Sequence, residues 1–124
     1  AALAGHCVVE DYVVIGGYAA VHQFCHLGKF AMIGGCSKVV QDIPPFMIGD
    51  GNPAETRTIN KIGLERNGFS EESQQALRQA YKLLFREGLT IANAIERMEK
   101  ELPPLPEIQH LIDFVRKSER GLAR

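Results

Sequence analysis

Cysteine is scarce in this 124-residue chain: there are three, Cys7, Cys25 and Cys36. An odd number excludes a complete disulfide framework. No Cys-x-x-Cys pair and no His-rich spacing is present, so the sequence offers no zinc site. Reduced thiols of this kind fit a cytoplasmic location. The net charge is −1, so the basic excess that marks a nucleic-acid partner is missing. No apolar run approaches the roughly 20 residues of a membrane span. Charge itself is thin in one half. Positions 1–45 hold five charged side chains (Glu10, Asp11, Lys29, Lys38 and Asp42), and positions 46–124 hold all the others. That shift predicts two structural units meeting near Pro44-Pro45.

What the first unit does have is a six-residue repeat. An aliphatic residue recurs at Leu3, Val9, Ile15, Val21, Leu27, Ile33 and Val39 without a miss. Four places after each stands a small or apolar residue: Cys7, Val13, Ala19, Cys25, Ala31, Ser37 and Ile43. Neither the helix period of 3.6 nor the strand period of 2 produces a sixfold spacing. A parallel β-helix does, because each short strand is one side of a coil and the aliphatic residue points into the stack. With three sides per coil, Cys7 and Cys25 stack on adjacent coils about 4.8 Å apart. The repeat is already running at Leu3 and Ala1 is not Met, so an exposed first coil with unpaired strand edges is expected. The expectation is a C-terminal piece of a longer protein.

Gln41-Asp42-Ile43-Pro44-Pro45 is expected to end the coils, since proline supplies no ladder donor. Residues 46–69 read as a loop or linker with short extended pieces around Asp50-Gly51-Asn52-Pro53. Residues 70–124 read as a three-helix domain. Ser70 caps the first helix, with Glu71 and Glu72 in its positive first turn. Ala76, Leu77, Ala80, Tyr81, Leu83 and Leu84 form its apolar stripe, and Gly88 ends it. Thr90 caps a second helix through about Glu101. Pro106 starts a third, with Ile108, Leu111, Ile112, Phe114 and Val115 inward, and Gly121 stops it.

A coil filled with side chains leaves ligands to its outer faces or to grooves between chains, and three flat sides suit a threefold homo-oligomer. His6 and His22 fall on successive coils with Gln23 beside them, a grouping able to act as general base or to hold phosphate and hydroxyl groups. His26 and His110 read as structural or solvated. Arg66, just before the first long helix, reads as a solvated surface arginine or as one that meets a phosphate. Gly35 serves the turn between coils or leaves space for an apolar tail.

Several segments resemble one family. They are Leu3-Ala4-Gly5-His6, Ile15-Gly16-Gly17, Ala20-Val21-His22-Gln23-Phe24-Cys25, Ile33-Gly34-Gly35-Cys36-Ser37 and Asp42-Ile43-Pro44-Pro45. Asn60, Gly63-Leu64-x-Arg66-x-Gly68-Phe69-Ser70, Ala80-Tyr81-Lys82-Leu83 and Arg120-Gly121-Leu122-x-Arg124 extend the match over essentially the whole chain. The chain resembles the acyl-acyl-carrier-protein–UDP-N-acetylglucosamine O-acyltransferase family of lipid A biosynthesis.

The resemblance implies a left-handed parallel β-helix followed by a C-terminal helical domain, in a homotrimer. It implies transfer of an R-3-hydroxyacyl chain from acyl carrier protein to the 3-hydroxyl of UDP-N-acetylglucosamine, without metal or cofactor. By the same resemblance His6 lines the sugar-nucleotide site, His22 and Gln23 lie near the diphosphate and acyl groups, Gly35 is a ruler for acyl length, and Asn60 and Arg66 hold the nucleotide end. Two departures are visible. The family's general base, a histidine in a His-Asp-Cys segment, would precede residue 1, so none of these residues is assigned as catalytic. Asn67 stands where relatives often carry a second arginine. Three other readings compete: a related N-acyltransferase, against which the Arg-Gly-Leu-x-Arg ending argues; a non-catalytic trimerising module that docks acyl carrier protein through Arg78, Lys82 and Arg86; and a metal-dependent hexapeptide enzyme built on His6, His22 and His26.

Overall fold

A computed structural model describes residues 1–124. Seven two-residue strands follow one another at the repeat spacing: β1 (Ala2–Leu3), β2 (Val8–Val9), β3 (Val14–Ile15), β4 (Ala20–Val21), β5 (His26–Leu27), β6 (Met32–Ile33) and β7 (Lys38–Val39). Each of the first four pairs in parallel with the strand three places further along, as in Leu3 with Val21, Val9 with Leu27 and Ile15 with Ile33. The ladders are β1-β4-β7, β2-β5 and one begun by β3-β6. Three ladders visited in rotation make a three-sided coil. Coil-to-coil bonds such as Val8 N–H to Cys25 O (3.1 Å) and Ala20 N–H to Ser37 O (2.8 Å) hold the stack.

The repeat's inward residues sort by coil. Val21, Leu27, Ile33 and Val39 are at most 2% exposed. Leu3 and Val9 are 51% and 39% exposed, because no strand of this chain stacks over the first coil. Cys7 and Cys25 lie in the same core cluster, as the coil register requires. The corners carry an unusual backbone: His6, Tyr12, Tyr18, Phe24, Phe30 and Cys36 all adopt φ between 59° and 66°. Side-chain-bearing residues rarely occupy this left-handed region, and here the parallel ladders on either side hold each one there.

The coil does not stop at the prolines. Ile43 bridges to Leu27 in parallel, and Pro44 and Pro45 are buried. The stretch 46–69, expected to be a loop or linker, holds β8 (Met47–Gly51), β9 (Ala54–Ile59) and α1 (Lys61–Arg66). β8 extends the third ladder by pairing with β6, Met32 opposite Ile48, and turns back through an antiparallel pairing with β9. The physical reason is that Pro44 and Pro45 precede the paired segment, so no ladder bond is asked of them, and the Asp50-Gly51-Asn52-Pro53 turn closes a hairpin rather than a linker.

The N-terminal capping signals correspond to observed helices, while the first and third long helices end at Phe85 and Lys117, short of the expected stops at Gly88 and Gly121. Ser70 accepts from Ser73 N–H at 3.1 Å at the start of α2 (Glu71–Phe85). Thr90 accepts from Asn93 N–H at 3.1 Å at the start of α3 (Ile91–Glu101). α4 (Pro106–Lys117) begins at its proline without a side-chain cap. Their apolar faces form a second core that reaches the coil through Phe30, Phe46, Met47 and Ile59. Phe30, Phe46 and Phe69 meet ring to ring at 5.1–6.1 Å between centroids, and such contacts carry more than their buried area alone.

The last residues bind the two units together. Asp42 N–H donates to Gly121 O (3.0 Å), Ala123 N–H to Asp42 O (2.9 Å) and Thr56 N–H to Ala123 O (3.1 Å). Arg120 donates twice to Val40 O, at 3.2 and 2.9 Å. Leu122 sits in the helical core and Ala123 in the coil core.

Candidate functional site

The corner residues stack by register. Phe24 follows His6 by one full coil, and their rings stack at 5.0 Å with planes 5° apart. The ring packed on His6 is therefore Phe24's and not His22's; the expected small cluster of His6, His22 and Gln23 is corrected to this extent. The spacing that identifies the coil also contained this pairing. His6 lines a cleft of about 250 Å³ with His26, Asp42, Lys117, Glu119 and Arg120.

His22 and Gln23 are exposed on the coil. The His22 backbone is committed: its N–H donates to Val39 O at 2.8 Å and its carbonyl accepts from the Cys7 thiol at 3.1 Å. Its ring Nδ1 lies 3.4 Å from Gln23 O, which leaves the rest of the imidazole facing outward. Gly35 is exposed at the corner after β6.

Asn60 sits away from these faces. It is 6% exposed, its Nδ2 donates to Phe30 O at 3.0 Å and its Oδ1 accepts from Gly63 N–H at 3.2 Å. Within the chain it caps α1 and ties that helix to a coil corner. Arg66, in the last turn of α1, is exposed and makes no ion pair in the chain. Asn67 donates from Nδ2 to Gly63 O at 2.7 Å, closing the end of α1 beside it.

The other histidines have packing roles. His26 lies edge-on to Phe114 at 6.4 Å. His110 Nε2 is 3.0 Å from Glu10 Oε1, and that oxygen also accepts from Lys29 N–H at 2.8 Å, so α4 is tied to the coil. No three His, Cys, Asp or Glu side chains converge on a metal position within the chain.

Sequence reasoning missed Asp42. Its carboxylate is 2% exposed; Oδ1 accepts from His26 N–H at 2.8 Å and Oδ2 from the Ser118 hydroxyl at 2.6 Å. The only early signal was an acidic residue just before Ile43-Pro44-Pro45. Burial pushes the Cys25 thiol above its ordinary value of 9.0; Arg120 opposes the shift, while Asp42 and Cys7 add to it. The folded chain thus keeps a proton that the unfolded chain gives up, so this thiol's contribution to stability is complete below about pH 9 and is lost as the pH rises above it. Urea titrations between about pH 8 and 11 should show this decline, and Cys25→Ala should flatten it.

The geometry describes outward-facing imidazole and amide groups on a rigid coil, with side-chain-free glycine corners beside them, and an exposed guanidinium at the end of α1. Such a surface binds and orients; a proton acceptor among the exposed histidines is chemically available.

The family described as Udp N-acetylglucosamine O-acyltransferase, domain 2, matches residues 42–123. An acyl-acyl-carrier-protein–UDP-N-acetylglucosamine O-acyltransferase of Thiobacillus denitrificans is 46% identical over 124 residues, covering 100% of this chain and 48% of the relative. One of the same name from Myxococcus xanthus is 48% identical over 116 residues, covering 94% and 45%. Among solved structures, LpxA of Acinetobacter baumannii superposes with a TM-score of 0.94 at 44% identity, over 98% of this chain and 48% of that one. The UDP-N-acetylglucosamine acyltransferase of Bacteroides fragilis gives 0.93 at 38% identity, over 95% and 46%. The chain spans about half the length of the curated relatives it matches.

Proposed function

Because this chain belongs to the UDP-N-acetylglucosamine O-acyltransferase family, we propose that the protein carrying it moves an R-3-hydroxyacyl chain from acyl carrier protein to the 3-hydroxyl of UDP-N-acetylglucosamine, the first step of lipid A biosynthesis. The observation that carries this reading is similarity running unbroken from the first coil to the C-terminal tail, with a matching fold at 0.94. The coil winds left-handed in this reading, against the common right-handed rule; family membership and the positive-φ corner in each repeat support it. The assembly is a cytoplasmic homotrimer with sites in the grooves between outer faces, and no helix of the chain is long and apolar enough to cross a membrane.

His6 contacts the sugar nucleotide, His22 and Gln23 the diphosphate and acyl groups, and Gly35 limits acyl length. Arg66 offers an unpaired guanidinium to the nucleotide end. Asn60 serves that end by fixing α1, since both ends of its amide are occupied. Transfer is direct. A base upstream of residue 1 takes the proton of the sugar hydroxyl, the oxygen attacks the thioester carbonyl, donors in the groove stabilise the oxyanion, and the carrier's thiolate leaves and takes up a proton. No metal or cofactor enters.

The decisive assay compares acyl transfer by the full polypeptide with that by residues 1–124 alone. Turnover by the first, and only UDP-N-acetylglucosamine binding by the second, is expected. Turnover by the shorter chain would move the base to His6 or His22. Absence of transfer by the full polypeptide, with carrier-protein binding retained, would favour a second reading, a non-catalytic trimerising and carrier-docking module. The exposed Arg78 and Lys82 on α2, with Arg86 capping its C-terminus, speak for that one, since none of the three forms an ion pair within the chain.

His22→Ala should lower kcat/KM of the full polypeptide by more than about tenfold, and an unchanged value would remove His22 from the site. Gly35→Met should shift preference to shorter acyl donors by placing a side chain where the corner is now bare; an unchanged donor profile would end its role as a ruler.

A further inference from the structure

Gly17 and Gly35 occupy the same corner of successive coils. Cys36 N–H donates to Gly17 O at 2.9 Å, and a Cβ on Gly35 would meet Gly17 O at 3.3 Å. Both are exposed. A Cβ on Gly17 would meet nothing within 4 Å, and neither residue adopts positive φ. Packing and backbone conformation thus leave the glycine at 17 unexplained. Val14 and Met32 pair in register on the same ladder, 56% and 37% exposed. A side-chain-free corner column thus runs along the stack in step with an exposed apolar column, an outer surface against which an extended alkyl chain can lie.

We propose that Gly17 is a second length-determining position for the acyl chain, one coil nearer the reacting end than Gly35, so that the two glycines form a graded ruler. The inference rests on the acyl-transfer reading above, in which the base lies upstream of residue 1 and the acyl tail points down the stack. Adjacent coils lie about 4.8 Å apart, the length of roughly four methylenes of an extended chain. A side chain at 17 therefore stops the tail about four carbons sooner than the same side chain at 35. Open space around Gly17 means the substituent stands on that outer surface rather than in the coil.

The test uses the full polypeptide that carries these residues, with R-3-hydroxyacyl carrier proteins of even-numbered chain lengths. Gly17→Leu and Gly35→Leu are compared with the parent. Both should move the preferred donor to shorter chains, Gly17→Leu by about four carbons more. The parent's preferred donor should lose at least about tenfold in kcat/KM, while the Kd for UDP-N-acetylglucosamine and the Tm stay at parental values. If Gly17→Leu accepts no donor, Gly17→Ala becomes the readable variant and should shift the profile in the same direction. A parental profile in the readable Gly17 variant, beside a shifted one in Gly35→Leu, overturns the graded ruler and leaves the acyl-transfer reading intact. A shift at 17 no larger than that at 35 also overturns it. A parent that transfers no acyl chain removes both.

Discussion

Asp42→Ala should cost about 3 kcal/mol of stability, from the loss of two charge-assisted hydrogen bonds inside the fold. The carboxylate is buried and accepts from His26 N–H on the coil and from the Ser118 hydroxyl at the end of α4. Removing it strands the His26 N–H and frees the tail, whose backbone bonds to residue 42 lie on either side. Asp42→Asn keeps one acceptor and should lose less. Ser118→Ala removes one bond and should lose about 1 kcal/mol. Urea unfolding of the parent, both single variants and the double variant gives the coupling directly. A coupling near zero between positions 42 and 118 would show that the tail is held by its backbone bonds and by Leu122, not by the carboxylate.

Ile33→Asp should abolish the fold or cost more than about 4 kcal/mol. Ile33 is 0% exposed, in register with Ile15 above and Gly49 below. No Lys, Arg or His is among the buried residues, so an ionised side chain in the coil core has no cationic partner. Ile33→Val removes one methylene and should cost about 1 kcal/mol, which separates a packing loss from a charge effect. Circular dichroism and the melting temperature of the two variants decide the matter. A stable, parent-like Ile33→Asp protein would mean that this repeat position does not point into the coil.

The repeat was legible because burial is periodic: a three-sided coil must bury the same position of every side, and Val21, Leu27, Ile33 and Val39 display that need in one dimension. Caps were legible for a related reason. Ser70 and Thr90 satisfy N–H groups only three positions on, so cause and consequence share one short window. The hairpin of residues 47–59 was not. Its partner strand is β6, with Met32 opposite Ile48, a pairing off the sixfold spacing, and Pro44-Pro45 masked the continuing ladder. Of the candidate site, the structure shows His6, His22, Gln23, Gly35 and Arg66 exposed, whereas Asn60 is occupied with a cap and a coil carbonyl.

By itself, then, the sequence determined the coil, its register and the helices, because each of these is specified by contacts repeated at a fixed short spacing. Only the tertiary structure decided which side chains hold coil and helices together. The Asp42–Ser118 bond spans 76 residues and the Glu10–His110 contact spans 100. Such pairs form once the two cores have met, when burial makes an unpaired donor or carboxylate costly, and no local spacing announces them.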